Sequence, residues 1–284
     1  MLREIYITDL SDVEWNILEP LLPPPNKLGR PRKHPWREIL NSIFYIVRSG
    51  CAWKLLPHDL PPWKSVYHYY RLWRMDGTWE RINTAVRQQV RTQLGRDPQP
   101  SAGVIDSQSV KTTGVGGPDR GYDGGKKVKG RKRHLLVDTQ GLVLKAKVHS
   151  TGVMDRDGVE LLLGQNIKDQ LPRLKHVWLD SGYKGEGKGK QWIEQNLGWT
   201  TEIVQHPIKP HGVWAPEDVV IDWSKIMPPP GFRVLPRRWV IERTLSWLGQ
   251  NRRLSKDYER LTDTSEAMIY AAMTRLMVRR LAQT

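Results

Sequence analysis

The chain has 284 residues, 38% of them hydrophobic, and a formal net charge of +15. This length suits about two domains, and the charge points to a polyanionic partner, nucleic acid first. The single cysteine, Cys51, excludes an internal disulfide and a CxxC-type zinc site.

No apolar run reaches the ~20 residues of a membrane span. The opening MLREIYITDLSDVEW lacks the basic start and apolar stretch of a signal peptide. A soluble protein of the cell interior, working on nucleic acid rather than at a membrane, is therefore expected. An anionic membrane surface is the rival partner, but no basic amphipathic helix stands out.

Residues 1–95 read as an N-terminal all-α module. Ser11-Asp-Val-Glu14 has the form of a capping box, and Ile17, Leu18, Leu21 and Leu22 follow. Pro23-Pro24-Pro25 stops that helix, and NKLGRPRKH is a basic connector. Pro35 suits a first helical turn. After it, Trp36, Ile39, Leu40, Ile43, Phe44 and Val47 recur at helical spacing, with Gly50 as C-cap. Further helices are predicted over 63–75 and 78–94. Short helices with basic connectors suit a helix-turn-helix-like DNA-binding region; a plain helical cap or dimerisation unit is the alternative. The chain holds 13 Trp against 2 Phe, and Trp15, Trp36, Trp53, Trp63, Trp73 and Trp79 crowd its first third. Filling a small core is their ordinary role; base stacking requires them exposed.

Residues 96–102, RDPQPSA, read as a linker, and 103–284 as a mixed α/β domain. GVIDSQ is a strand. HLLVDTQGLVLKAKVHS is strand, turn and strand, with Asp138-Thr-Gln-Gly141 as the turn. Residues 157–171 form an amphipathic helix, HVWLDSGY a strand, 187–197 a helix and TTEIVQ a strand. An irregular insertion is expected around 207–235. A helix begins at Pro236, and a last one lies near 265–281.

Two strands have the same construction. VIDS and WLDS each close an apolar run on a carboxylate followed by Ser, at Asp106 and Asp180. Were the strands adjacent, both carboxylates would emerge at one sheet edge, where oxygen ligands hold divalent metal. A third carboxylate would complete a two-metal site, with ions ~3.5–4 Å apart clamping the attacking and leaving oxygens of a phosphoryl transfer. Glu242, in PRRWVIERTLSWLGQNRRL, is the best third candidate, on a helix face shared with Arg238, Ser246 and Gly249. The plain alternative is a local Arg238–Glu242 ion pair.

Rivals have ordinary explanations. Asp138 is a turn residue. Asp155 and Asp157 open a helix and suit capping. Residues 182–188 match GxxxxGK, but Gly189 stands where a phosphate loop needs Ser or Thr. His134 and His149 read as ordinary strand residues. Lys126, Lys127, Lys129, Arg131, Lys132 and Arg133 follow the first candidate ligand as a flexible basic run. Arg237, Arg238, Arg243, Arg252, Arg253 and Lys256 surround Glu242. Both clusters are expected to grip DNA phosphates.

RSGCAWKLLPHDLPPWKSVYHYYRLW resembles the N-terminal region of bacterial insertion-sequence-5 family transposases. VIDSQSVKTT, GYDGGKKVKGRKRHLLVDTQGLVL, VWLDSGYKG and RRWVIERTLSWLGQNRRLSKDYERL resemble the blocks that carry that family's DDE triad, in the expected order over nearly the whole chain. The resemblance implies a ribonuclease H-like mixed sheet flanked by helices, with Asp106, Asp180 and Glu242 as catalytic and metal-binding triad. It implies two Mg²⁺ ions (Mn²⁺ able to substitute), cleavage of transposon terminal repeats, and attack of the freed 3′-OH on target DNA. It also implies a homodimer or higher oligomer on double-stranded DNA, in the bacterial cytoplasm and nucleoid. The sequence departs from the wider group's signature around the third acid. Arg238 and Glu242 fit, but Leu235 stands at the Tyr position and Gly249 at the basic one. Arg252 or Arg253 is expected to substitute in contacting the end phosphates. Two alternatives stay open: a metal-dependent nuclease without strand transfer, and a non-catalytic DNA-binding repressor.

Overall fold

The computed structural model describes residues 3–24, 31–204, 220, 222 and 236–283. The expected insertion at 207–235, Leu235 and part of the first basic connector lie outside these residues, apart from Val220 and Asp222.

The N-terminal helices follow the periodicity read from the sequence. Helix α1 (Asp12–Leu18) opens on the capping box: Ser11 Oγ accepts from the Glu14 N–H (3.2 Å), and Glu14 Oε2 accepts from the Ser11 N–H (2.9 Å). Helix α2 (Trp36–Ser49) ends at Gly50, whose φ of +74° is the left-handed cap position. A Cβ at Gly50 would also lie 2.9 Å from Arg252 Cβ, so glycine admits a later segment of chain there. Helices α3 (Trp63–Met75) and α4 (Thr78–Gln93) complete the set. Trp73 and Trp79 are fully buried, and Trp36, Trp73 and Trp79 pack with ring centroids 5.0–5.4 Å apart. These rings fill the core and are not a stacking platform.

The helices pack around the end of the chain. Helix α9 (Thr262–Ala282) contributes Met268, Ile269 and Ala272 to the same apolar cluster as Ile39 and Ile43 of α2 and Val86 and Val90 of α4. Tyr70 Oη donates to the Thr264 carbonyl (2.6 Å), and Arg275 pairs with Glu14 (3.2 Å).

The sheet comprises β1 (Ala102–Lys111), β2 (Gly121–Asp123), β3 (Val128–Asp138), β4 (Val143–Ser150), β5 (His176–Leu179) and β6 (Thr200–Ile203). Its order is β2-β3-β1-β5-β6, with β4 beside β2 on the outer side of β3. Strands β1, β3 and β4 run antiparallel in succession; β5 and β6 continue parallel to β1. The β4–β5 connection carries α5 (Asp155–Leu163) and α6 (Ile167–Gln170), and the β5–β6 connection carries α7 (Lys190–Trp192) with a wider turn over Ile193–Leu197. Helix α8 (Pro236–Gly249) precedes α9.

Alternation along the strands separates two cores. Ile105, Leu136, Leu144 and Leu179 pack with Val159 and Leu162 of α5. Val104, Leu135 and Val137 face the other way, towards Ile241 of α8 and the α9 cluster.

Three local expectations need correction. Strand β1 does not stop with GVIDSQ at Gln108 but continues to Lys111, because β3 pairs with it from Gly103 onward. The helix expected over 157–171 starts at Asp155 and breaks at Gly164, whose φ is +60°. The basic run is not a loop throughout, since β3 begins at Val128 and absorbs its second half. Among the described residues no helix is long and apolar enough to cross a membrane.

Candidate active site

The parallel ladder between β1 and β5 pairs Ala102, Gly103 and Val104 with His176, Val177 and Trp178. Beyond Val104, β1 keeps β3 on one side and has no β5 partner on the other. Asp106 stands two residues past that point, and Asp180 immediately follows the last residue of β5. The open edge is therefore made by the end of β5, not by the end of β1. Asp106 and Asp180 line one small cleft with Val104, Trp178, Arg238 and Ile241. Among the described residues neither carboxylate has a salt-bridge partner. Asp106 Oδ1 accepts from the Ser107 N–H (2.7 Å), and Asp180 Oδ1 from the Gly182 N–H (2.8 Å) at the head of a short 3-10 turn.

The electrostatics are unbalanced. Burial pushes the Asp106 carboxyl up to about 6. The Ser107 N–H opposes that shift, the charge of Asp180 adds to it, and Arg238 and Lys126 draw it back. A buried carboxyl beside a second acid forms an environment that a divalent cation would relieve. Both offer hard oxygen donors of the kind such ions take.

Glu242 lies on α8 next to Ile241, which lines the cleft. Its carboxylate is half-exposed and accepts from Arg238 Nε at 3.0 Å, so the local ion pair weighed in the sequence does form. Among the described residues no group of three or more His, Cys, Asp or Glu side chains is arranged to hold a metal. The structure thus brings Asp106 and Asp180 together and leaves Glu242 engaged with Arg238.

The first basic cluster divides in two. Lys126, Lys127 and Lys129 are exposed on the β2–β3 hairpin, where Lys127 takes a left-handed φ of +52° at the tip. Arg131, Lys132 and Arg133 are buried. Arg131 donates to the carbonyls of Asp119, Glu259 and Arg260 (2.8–3.1 Å), and Arg133 to those of Leu254 and Lys256 (2.6 and 3.0 Å). Lys132 binds Asp155 Oδ1 (2.8 Å) and the Val153 carbonyl (2.8 Å). These three hold protein, not phosphate, because a strand paired on both sides turns alternate side chains into the two cores. Arg131 and Arg133 clamp the segment that links α8 to α9.

The second cluster also divides. Arg237 and Arg252 are exposed, and Arg237 stacks over Trp178 of the cleft (4.3 Å). Arg243 lies between Trp239 and Trp247 and donates to the Gln140 carbonyl (2.8 Å). Arg253 is buried, pairing with Glu259 (2.6 Å) and donating to the Cys51 carbonyl (3.0 Å), so it is not placed to replace the missing basic residue. Gly249 sits exposed at the end of α8.

Two features are not apparent from the sequence. Asp155 does not cap α5: Ser107 Oγ donates to its Oδ1 (2.5 Å), beside Lys132. Burial works against the Asp155 carboxylate, yet the bonds from Lys132 and Ser107 outweigh it and hold the group below the ordinary range. Its Oδ2 faces Asp180 across Gly182, where a Cβ would lie 3.0 Å from Asp180 Oδ1 and 3.7 Å from Asp155 Oδ2. His134 and His149, which read as ordinary strand residues, are bonded to each other (3.3 Å), and His134 is bonded to Tyr183 (2.7 Å). The available signal is their placement: each strand of one hairpin carries an inward-facing His beside an apolar run.

Comparison with known proteins gives the family of the chain. A family described as "Transposase DDE domain" matches residues 97–277, and one described as a transposase of the IS4/5 family matches residues 10–83. A protein of Burkholderia cepacia, "Insertion element IS402 uncharacterized 16.2 kDa protein", is 30% identical over 115 residues, covering 38% of this chain and 76% of that protein. No solved structure matches.

Proposed function

Since the chain belongs to the DDE-domain transposases of the IS4/5 type, we propose that it cuts the ends of an insertion sequence and transfers the freed 3′-OH to target DNA. The observation that carries this reading is the shared cleft of Asp106 and Asp180 beyond the end of β5. The strand order supports a ribonuclease H-like sheet: an antiparallel β1-β3-β4 meander, continued on the other side of β1 by two parallel strands. In this reading residues 1–95 form a helical DNA-binding region, 96–102 the linker and 103–284 the catalytic domain. The protein works in the cytoplasm on nucleoid DNA, as a dimer or larger assembly, because two ends must be processed together.

Asp106 and Asp180 would hold divalent metal, Mg²⁺ in this reading. Glu242 would be the third ligand if its bond to Arg238 opened. Bound there, the metal supplies positive charge to the attacking and leaving oxygens of a phosphodiester. The chain itself does the rest. The sheet fixes the spacing of the two carboxylates. Lys126 and Arg238 set positive potential around Asp106. Exposed Lys127, Lys129, Arg237 and Arg252 attract the DNA backbone. Arg131, Lys132, Arg133, Arg243 and Arg253 are left out of the DNA contacts, because each is already committed to a partner within the protein.

The test uses a labelled duplex carrying the element's own terminal repeat, with Mg²⁺. Asp106→Asn keeps the shape and removes the charge. It is expected to bind DNA like wild type and to lose cleavage and joining by at least about a thousandfold, the scale of metal-derived transition-state stabilisation. Cleavage by the variant at the wild-type rate would remove Asp106 from the site. Offering a precut end separates transfer from hydrolysis: wild type that cuts but never joins is a nuclease.

A further inference from the structure

We infer that Tyr183 and His134 are positioning residues that hold the turn carrying Asp180 against the strand carrying Asp106. This rests on the reading of those two aspartates as the site.

The ladder itself does not do this. The β1–β5 pairing stops at Val104 and Trp178, so among the described residues no main-chain bond of the sheet ties the Asp180 turn to β1. Tyr183 closes that turn, three residues after Asp180. Its side chain is fully buried and reaches back to His134 Nε2 at 2.7 Å. His134 lies on β3 directly opposite Ser107, the neighbour of Asp106. The phenol therefore bridges the gap that the strand pairing leaves open.

The bridge has a fixed direction. His149 Nδ1 is 3.0 Å from the Ser150 carbonyl, which can only accept. His149 Nδ1 thus carries a hydrogen, and in the neutral ring His149 Nε2 has a lone pair. His134 Nδ1, 3.3 Å away, must donate to it, which leaves His134 Nε2 as acceptor for the Tyr183 hydroxyl. One backbone carbonyl thereby sets the tautomer of both imidazoles and the direction of the phenol O–H. Burial, with the neighbouring His149 adding to it, depresses His134 to about 3, which keeps the ring neutral as the chain requires. Gly158 of α5 makes the space, since a Cβ there would come within 2.5 Å of His134 Nδ1 and 2.9 Å of His149 Nε2.

Groups that orient metal ligands typically contribute 10–100-fold to metal affinity or activity. Tyr183→Phe keeps the ring, removes the hydroxyl and leaves His134 Nε2 buried without a donor. His134→Leu removes the acceptor, whereas His134→Gln offers Tyr183 a carbonyl in its place. Tyr270→Phe is the control: the Tyr270 hydroxyl is buried too, accepting from the Ala146 N–H (3.0 Å) in the other core.

The experiment measures Mn²⁺ binding to the full chain by electron paramagnetic resonance, alone and with duplex DNA, together with melting temperature. Tyr183→Phe and His134→Leu are expected to weaken Mn²⁺ binding about tenfold or more, and His134→Gln to recover most of it. Tyr270→Phe is expected to lower the melting temperature and leave Mn²⁺ binding unchanged. The inference is overturned if Tyr183→Phe binds Mn²⁺ like wild type, or if Tyr270→Phe weakens it equally. If Tyr183→Phe does not fold, His134→Leu and His134→Gln decide the matter between them, and equal Mn²⁺ binding by that pair overturns the inference. Asp106→Asn runs alongside: Mn²⁺ binding that survives it overturns the site, while binding lost in Asp106→Asn but intact in Tyr183→Phe overturns the positioning role alone.

Discussion

At the β3–β4 turn Asp138 has no exposed surface, and its oxygens accept from Arg91 Nη1 (2.5 Å) and from the N–H groups of Gln140 and Leu142 (both 2.9 Å). Three residues along β1 from Gly103, the partner of Asp138, Asp106 accepts one hydrogen bond among the described residues and faces a second acid across a cleft. Both aspartates sit in apolar sequence, in LLVD and GVID. Asp138 is satisfied by its surroundings and Asp106 is not. A carboxylate that stabilises a fold is surrounded by donors, because a buried unpaired charge is costly. A carboxylate kept short of donors costs stability and stays open to a ligand.

Substitution at each end sharpens the contrast. Asp138→Asn leaves Arg91 buried without its counter-ion, beside Arg87, which is itself buried with unpartnered Nε and Nη1. Breaking such a pair costs about 3–5 kcal/mol. Chemical denaturation is expected to show that loss, with cleavage per folded molecule unchanged. Asp106→Asn, expected to remove activity, is also expected to melt no lower than wild type, because it removes repulsion with Asp180. Equal destabilisation by the two substitutions would erase the distinction.

The cations divide in the same way, and this yields a smaller effect. Arg133→Gln abandons two carbonyls of the α8–α9 connection, at ~1.5 kcal/mol or more for each charge-assisted bond. Thermal melting should fall and the salt dependence of DNA binding should stay as it was. Lys129→Gln should do the opposite: unaltered melting, and a slope of log affinity against log salt shallower by about 0.9, the value for one lost phosphate contact on duplex DNA. A salt slope altered by Arg133→Gln would return that residue to the DNA surface.

What could be read in advance follows from the range of the interactions. The capping box of Ser11 and Glu14, the Gly50 cap and the 63–75 helix are local, and their residues declare them. Asp106 and Asp180 could be paired because the same four-residue pattern closes two apolar runs. The burial of Arg131 and Arg133 was hidden by composition: a dense run of cations suggests solvent, and only pairing by both β1 and β4 encloses its second half. The break at Gly164 was hidden because apolar spacing continues through it to Ile167 and Leu171. The fate of Arg238 and Glu242 was legible as two alternatives, since spacing of one helical turn permits both an ion pair and a metal ligand. The Tyr183–His134–His149 chain draws on a turn and two strands, and no local pattern unites them.

The finest contrast is between His134 on β3 and Asp106 on β1, in their response to acid. His134 is depressed to about 3 from an ordinary 6.5, and His149 is lowered as well, burial being the chief cause for both. Around His134 stand His149 from β4, Lys132 from β3, Lys126 from the hairpin, Asp155 from α5 and Tyr183 from the Asp180 turn. Below 6.5 the unfolded chain takes a proton that the folded ring refuses, so stability falls as pH falls, and the loss continues down to about 3. Asp106 works the other way. Its folded value of about 6 lies above 3.8, so between those values the folded chain holds the extra proton and gains stability as pH falls. The two effects oppose each other in wild type and are separated by substitution. His134→Gln removes the first and keeps the second. Between pH 6.5 and 5.5 wild type should lose about 1 kcal/mol relative to His134→Gln, or roughly 2–4 °C in melting temperature for a chain of this size. Parallel melting curves across that interval would mean that His134 is not held neutral, and that the hydrogen-bond direction assigned from Ser150 to Tyr183 is wrong.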